Sequence, residues 1–382
     1  MYPTTIPETM QAIVFDGEKA VLEKNVPVPK LGKDTDLLVK VKAVAGNPTD
    51  WKHIEYKIGP KGCIVGCDLS GIVVKVGSKV DPEKFKVGDE VCSFVHGCAV
   101  LHPENGAFAE YSVVSSLVAL KLENLKVETK DEVPEGPIVS FESAASLPVA
   151  LYTAAVASTY IYHNKIEIPT TPNEVPQNGK DSVFLIWGGA TSVGQNMIQV
   201  LKHTNAYSKI IVVASKKHEK LLKEYGATEL FDYHEPDVVS KIKAKYPNIH
   251  HALDTVSIIP TFNDTYRVVV PDEKSIVGNL MNYTSEMIDA SILNDKVCLS
   301  SILLYSISGE EIPFANGSVI PKNPEFVEIA VKTMNDVNKL IYANKIKHMP
   351  LKIFHNGLED IPEILHGIQI GKNSGVKFIA SI

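Results

Sequence analysis

The residues best suited to chemistry lie between Ser182 and Leu201. An apolar run, Val183 to Trp187, breaks into a glycine-rich turn, Gly188 to Gly194. The turn opens into an amphipathic segment carrying Val193, Met197, Ile198, Val200 and Leu201. Strand, glycine turn and helix in that order set an anion, above all a diphosphate, on the free N–H groups of a helix N-terminus. Glycine lets the backbone approach the phosphates because no Cβ intervenes. Gly189 and Gly194 take the outer positions of a G-x-G-x-x-G fingerprint, Thr191 stands at the middle one, and Ala190, Ser192 and Val193 fill the turn. The flanking strand and helix give this fingerprint its weight. The expected ligand is a dinucleotide.

The next strand bears on which dinucleotide. Ile210 to Ala214 ends in Ser215-Lys216-Lys217, about 20 residues past the fingerprint, where a carboxylate would hold the ribose 2′-hydroxyl of NAD. No Asp or Glu stands at that strand end. A hydroxyl and two cations suit a 2′-phosphate, so the expected cofactor is NADP(H).

These residues need elements to hold them. Residues 11–120 read as β-rich, with short strands at Gln11–Phe15, Leu37–Ala43, Gly71–Val76 and Glu90–Phe94 separated by turn signals such as Asp16-Gly17 and Asn105-Gly106. Such spacing suits a barrel-like antiparallel domain. Ser143 to Ile161 is alanine-rich and helical. A proline-rich connection spans Pro169 to Asp181, and strands then alternate with helices near 183–187, 210–214, 229–231, 251–255, 275–278 and 297–303. Six strands is the count of a complete dinucleotide-binding sheet. A long helix follows over Asn323 to Asn344, and the chain ends in a strand over Gly375 to Ser381.

The 382 residues suffice for two domains, and a net charge of −7 argues against nucleic acid as a partner. No run of 18 consecutive apolar residues marks a membrane span, and the N-terminus from Met1 lacks a signal-peptide pattern. Five cysteines, an odd number, fit reduced thiols and a cytoplasmic protein. The strand Lys296 to Leu304 is expected last in the sheet, where pairing with a symmetry mate would make a homodimer.

Three further motifs carry a resemblance. Gly88-Asp89-Glu90-Val91, Gly106-Ala107-Phe108-Ala109-Glu110-Tyr111 and Gly226 to Tyr233 (a G-A-x-x-x-x-D-Y strand) resemble segments of the medium-chain dehydrogenase/reductase superfamily. The resemblance implies an α/β chain. A GroES-like β-barrel catalytic domain would cover 1–147, completed by 322–382. A Rossmann domain, doubly wound on a parallel sheet, would cover 148–321.

Within the superfamily, zinc alcohol dehydrogenases carry a Cys near position 47 and Gly-His-Glu near position 66. Here Gly46-Asn47-Pro48-Thr49-Asp50 and Gly66-Cys67-Asp68 stand there, and only Cys92 and Cys98 occur where a structural-zinc lobe needs four cysteines. A catalytic zinc requires three convergent ligands, so no metal is expected. Asn47-Pro48-x-Asp50 resembles instead the zinc-free quinone, enoyl and alkenal reductases, and most of all the fungal trans-acting enoyl-reductase-like group.

That resemblance implies a cofactor cradle at Thr191, Ser192 and Val193 and 2′-phosphate and adenosine contacts at Ser215, Lys216 and Tyr233. It implies a nicotinamide end lined by Asn47, Pro48, Gly278 and Leu280, with Lys377 closing over the cofactor. The implied reaction is hydride transfer from NADPH to an α,β-unsaturated carbonyl. Alternatives are a quinone or simple aldehyde reductase, a reductase working in trans on a larger synthase, or an NADPH-binding protein with little turnover. Adding hydride to an enone makes an enolate, whose oxygen needs a donor or a cation. Asn47 and Lys52 are candidates for that role, and Tyr152 and Thr153, early in the helix linking the domains, are hydroxyl candidates.

Overall fold

A computed structural model describes residues 5–171 and 174–382. The chain forms two compact units: one holds residues up to Val149 with Tyr305–Pro324 and Lys347–Ile382, the other Ala150–Leu304 and Glu325–Ile346. Pro172 and Asn173, in the proline-rich connection, and the first four residues lie outside the described residues.

In chain order the first unit begins with β1 (Thr9–Phe15), β2 (Ala20–Pro27), β3 (Asp36–Ala45), α1 (Pro48–Glu55), β4 (Asp68–Val76), β5 (Glu90–Phe94), β6 (Tyr111–Ser115), β7 (Leu120–Leu122), β8 (Glu132–Val133) and α2 (Phe141–Ala145). The helix α3 (Pro148–Val156) leads into the second unit. There follow β9 (Val183–Trp187), α4 (Ser192–His203), β10 (Lys209–Val213), α5 (Glu219–Tyr225), β11 (Glu229–Phe231), α6 (Val238–Lys245), β12 (His251–Asp254), α7 (Ile259–Val268), β13 (Ile276–Asn279) and β14 (Cys298–Ser301). A hairpin of β15 (Ile312–Pro313) and β16 (Val319–Ile320), the helix α8 (Pro324–Tyr342), β17 (Leu351–Phe354), α9 (Ile361–Gln369) and β18 (Lys377–Ser381) complete the chain.

The first unit is an open barrel. Its main sheet runs β7-β5-β4-β3-β18-β17-β8, with β6 also on β3, while β1 and β2 pair separately. The C-terminal strand β18 pairs antiparallel with β3, Ile379 opposite Ala45, which brings residues some 330 positions apart together. Alternation in β3 sends Leu37, Val39 and Val41 into a core shared with Ile13, Val73, Phe108 and Ile361. Each buried Leu or Ile there contributes about 1.5–3 kcal/mol.

The second unit is an all-parallel sheet of order β11-β10-β9-β12-β13-β14, helices filling the connections. Chain order reverses direction between β9 and β12, the switch point at whose strand ends such sheets bind ligands. The middles of the central strands β9 and β10 are apolar, as doubly covered strands must be: Phe184, Leu185, Ile186, Ile211 and Val212 are fully buried.

Both boundaries differ from the expected ones. Tyr305–Pro324 belongs to the barrel unit, and α8 after Pro324 belongs to the Rossmann unit. Contacts within that unit hold α8: Thr333 and Thr159 hydroxyls meet at 2.8 Å, and Phe326 packs edge-on to Tyr160 at 5.0 Å. The expected continuous helix over Ser143 to Ile161 is interrupted between α2 and α3, just before Pro148. By length and composition Phe141–Ile161 passes as a membrane span, but 83 % of its apolar window is buried inside the protein, as in a core helix. The expected last strand is last, but regular pairing covers only Cys298–Ser301, with Cys298 exposed.

Candidate functional site

In the Rossmann unit the turn after β9 is built as a cradle. Gly188 has φ +85°, and a Cβ there would lie 2.6 Å from Thr255 Oγ1. A Cβ on Gly194 would lie 2.3 Å from the Gly188 carbonyl oxygen, so the helix can start this close to the strand only on glycine. Thr191 at the middle position is the N-cap of α4. Its extended backbone leaves the hydroxyl free to accept the Gly194 N–H at 2.9 Å and to donate to Thr255 Oγ1 at 2.8 Å. This geometry explains why a threonine serves where the fingerprint has glycine. The N–H groups of Ala190, Ser192 and Val193 carry no hydrogen bond among the described residues, so the turn presents unpaired donors to an anion.

At the end of β10, Ser215 caps a short 3-10 turn. The Lys216 ammonium is exposed and lies 2.9 Å from Glu219 Oε2. The sequence reading found no carboxylate here, and the fold corrects it. Asp232, at the end of the neighbouring β11, accepts the Lys216 N–H at 3.2 Å and holds His234 Nδ1 at 2.6 Å. The adjacent Tyr233 ring is half-exposed and tilts against His234. After β12, Ser257 has φ +54° and is held by Asp254, whose Oδ1 accepts the N–H groups of Val256 and Ser257. The Ser257 hydroxyl accepts the Leu280 N–H at 2.8 Å. Gly278 is buried, and a Cβ there would lie 2.4 Å from the Tyr162 hydroxyl.

In the barrel unit a buried polar cluster forms around the start of α1. Asn47 is the N-cap residue, Pro48 sits exposed in the first turn, and Asp50 Oδ2 reaches back to accept the Asn47 N–H at 2.7 Å. The Asn47 amide turns inward: Nδ2 donates to Asp68 Oδ2 at 2.8 Å and to the Ala45 carbonyl at 3.3 Å, and Oδ1 accepts from the Lys377 ammonium. Lys377 is 1 % exposed and also lies 3.3 Å from Asp68 Oδ2, while Asp68 Oδ1 accepts the Val149 N–H at 2.7 Å. Burial pushes the Asp68 carboxyl up, against the opposite pull of Lys377. Asp50 is wholly buried with Oδ1 unpartnered, and desolvation pushes it up to about 7.

Next to this cluster runs a chain of polar groups. Cys67 Sγ lies 3.0 Å from the Tyr305 hydroxyl, which donates to Thr49 Oγ1 at 3.2 Å. Thr49 Oγ1 lies 3.0 Å from His53 Nδ1, and His53 Nε2 lies 3.1 Å from His96 Nε2, whose ring stacks on Tyr305 at 4.2 Å. His53 Nδ1 is 2.6 Å from the Thr49 carbonyl and must carry a hydrogen to donate to it. Its Nε2 then accepts, which puts the hydrogen of His96 on Nε2. Desolvation lowers both imidazole pKa values, agreeing with two neutral rings.

The expected catalytic residues have these surroundings in the fold. Lys377, expected at the nicotinamide end, has its ammonium bound to Asn47 Oδ1 and Asp68 Oδ2 inside the barrel unit. Asn47 offers no free donor, since both amide hydrogens are taken. Tyr152 is buried in the Rossmann unit with its hydroxyl donating to Asn338 on α8 at 2.9 Å, and Thr153 is buried beside it. Lys52 is half-buried with its ammonium 5.7 Å from the Trp51 ring, and burial lowers its pKa. The sequence reading missed Asp232, Asp254 and Tyr305. Asp232 lies within the Gly226 to Tyr233 segment, and no local pattern marks Tyr305.

The comparisons with known proteins agree with this architecture. Residues 33–124 match the family described as alcohol dehydrogenase GroES-like domain, and residues 192–316 match zinc-binding dehydrogenase. An uncharacterised protein of Saccharomyces cerevisiae, YNL134C, is 45 % identical over 98 % of both chains. The trans-enoyl reductase RAP2 of Pyricularia oryzae is 31 % identical over 99 % of both. Among solved structures, the quinone oxidoreductase from Coxiella burnetii shares the fold at TM-score 0.68 and 22 % identity, covering 98 % of this chain and 99 % of that one. The chain belongs to the medium-chain dehydrogenase/reductase superfamily, in its zinc-free branch, and is an oxidoreductase of that family. Zinc-binding is in the name of the matched family, yet the described residues hold no group of three His, Cys, Asp or Glu placed for a metal ion. The Rossmann unit's turn fits the nicotinamide dinucleotide that family domains bind, through its positive-φ glycine and unpaired N–H groups.

Proposed function

We propose that this protein is a zinc-independent, NADPH-dependent reductase of α,β-unsaturated carbonyls. Two observations support the reading: the chain is 31 % identical over 99 % of its length to a trans-enoyl reductase, and an Asn47 amide and a Tyr305-bound Cys67 thiol stand where zinc enzymes have ligands. The turn from Gly188 to Gly194 would hold the diphosphate, with Thr191, Ser192 and Val193 at its centre. Ser215, Lys216, Lys217 and Tyr233 would hold the 2′-phosphate. The Asp232 carboxylate is engaged by the Lys216 N–H and His234.

When bound, the nicotinamide supplies hydride to the β-carbon of the substrate. The residues of the chain must then stabilise an enolate oxygen and deliver a proton to the α-carbon. Lys52 is suited to the first task, because partial burial makes its ammonium a better acid than a solvated lysine. The hydroxyls of Thr49 and Tyr305, linked through His53 to His96, form the route for the second. With the Asn47 amide fully engaged, that residue positions Asp68 and Lys377 and so the start of α1. The five free cysteines fit a reducing, cytoplasmic setting.

The test is product identification after incubation with NADPH and an α,β-unsaturated aldehyde, with and without a chelator. A saturated aldehyde in undiminished yield under chelation is the expected result. An allylic alcohol would replace this reading with carbonyl reduction, and NADPH binding without turnover on enals or quinones would replace it with a non-catalytic role.

A further inference from the structure

Two thiols of the barrel unit stand apart from every role described above. Cys63 and Cys98 place their sulfurs 3.0 Å apart, and both residues are 0 % exposed. Two unbonded sulfurs normally stop near 3.6 Å, while a disulfide holds them at about 2.05 Å, so roughly 1 Å of closure separates this pair from a bond. The backbone is arranged to keep them close. The Cys98 N–H donates to the Ile64 carbonyl at 2.7 Å, next in sequence to Cys63, and Cys98 itself has φ +57°. Gly59 completes the niche: a Cβ there would lie 2.2 Å from the Cys98 carbonyl oxygen and 2.9 Å from Cys63 Sγ. A side chain at residue 59 would wedge into this niche.

We propose that Cys63 and Cys98 form an oxidation site: a dithiol that a small hydroperoxide converts to an intramolecular disulfide. In the first step the Cys63 thiolate attacks the terminal peroxide oxygen. The O–O bond breaks, Cys63 becomes a sulfenic acid, and the leaving alkoxide or hydroxide takes a proton to leave as alcohol or water. In the second step Cys98 sulfur attacks the sulfenic sulfur; the S–O bond breaks, water leaves, and the disulfide remains. Overall two thiol hydrogens are lost and one peroxide is reduced. The same disulfide results if Cys98 makes the first attack. Complete burial excludes large oxidants and selects a small uncharged one. The disulfide would brace the stretch that contains Cys67, Asp68 and His96, because its two ends lie 35 residues apart around them.

The test uses the full chain and hydrogen peroxide, with exposed Cys298 as an internal control. After oxidation the protein is denatured, alkylated and digested. The expected result is one linked peptide pair joining Cys63 to Cys98, lighter by about two hydrogens than the separate peptides, reversed by dithiothreitol and absent in both Cys63→Ser and Cys98→Ser. Cys92→Ser, another buried cysteine, should leave the linkage intact. Full alkylation of Cys63 and Cys98 under conditions that oxidise Cys298 would overturn the proposal, as would linkage only through Cys298. The readout is chemical, so it stands or falls separately from the reductase reading.

Discussion

Lys377 and Asp68 decide more at the residue scale than their place in any motif suggests. A buried ammonium tied to a buried carboxylate is costly to break from one side, because the remaining charge is left without water or partner. Lys377→Ala is therefore expected to destabilise the protein by about 3–5 kcal/mol in denaturant unfolding, and the charge-free pair Asp68→Asn with Lys377→Met to recover most of that loss. Asp50 gives a pH signature. Its folded pKa is raised from 3.8 to about 7, so the folded state holds its proton more tightly than the unfolded state. Stability from this group is present below the unfolded value and falls as pH rises from about 4 to about 7. Asp50→Asn should flatten that part of the stability-against-pH curve; an unchanged slope would show that Asp50 ionises normally in the fold.

The element that matters most is the strand–turn–helix from β9 to α4. Thr191→Val deletes the cap on the Gly194 N–H and is expected to cost about 1 kcal/mol, and to weaken dinucleotide binding measured by fluorescence. At the end of β10, Lys216→Ala should raise the KM for NADPH about tenfold, the equivalent of one charged contact at about 1.4 kcal/mol, and leave the KM for NADH nearly unchanged. Equal effects on both cofactors would remove Lys216 from 2′-phosphate recognition. α1 makes the complementary point. Asn47-Pro48-Thr49-Asp50 reads as a functional motif, yet much of its spacing is what starts a helix: an N-cap, a proline in the first turn and a carboxylate reaching back.

At the scale of the whole molecule, β14 forms one edge of the parallel sheet, unpaired on its outer side among the described residues. An edge strand bearing an exposed cysteine and half-buried Leu299 is expected to pair with a second copy. Sedimentation equilibrium should return twice the chain mass, and a mass of one chain would remove the homodimer.

The amino-acid order by itself determined the two kinds of unit, the six parallel strands, the glycine turn and the missing zinc ligands. All of these rest on periodicity and short-range spacing, which act within a few residues. Only the tertiary structure decided the surroundings of Lys377, because the partners of its ammonium arrive at the start of α1 and on β4 from the other end of the chain. The same reason hid Asp232 from the reading of β10, since it comes from the neighbouring strand. It hid Tyr305 from the polar chain of Thr49 and His53, and it set α8 beside Tyr152 rather than with the barrel. Hydrogen bonds and ion pairs between residues far apart in sequence leave no local pattern, and burial alone determines which charges must find each other.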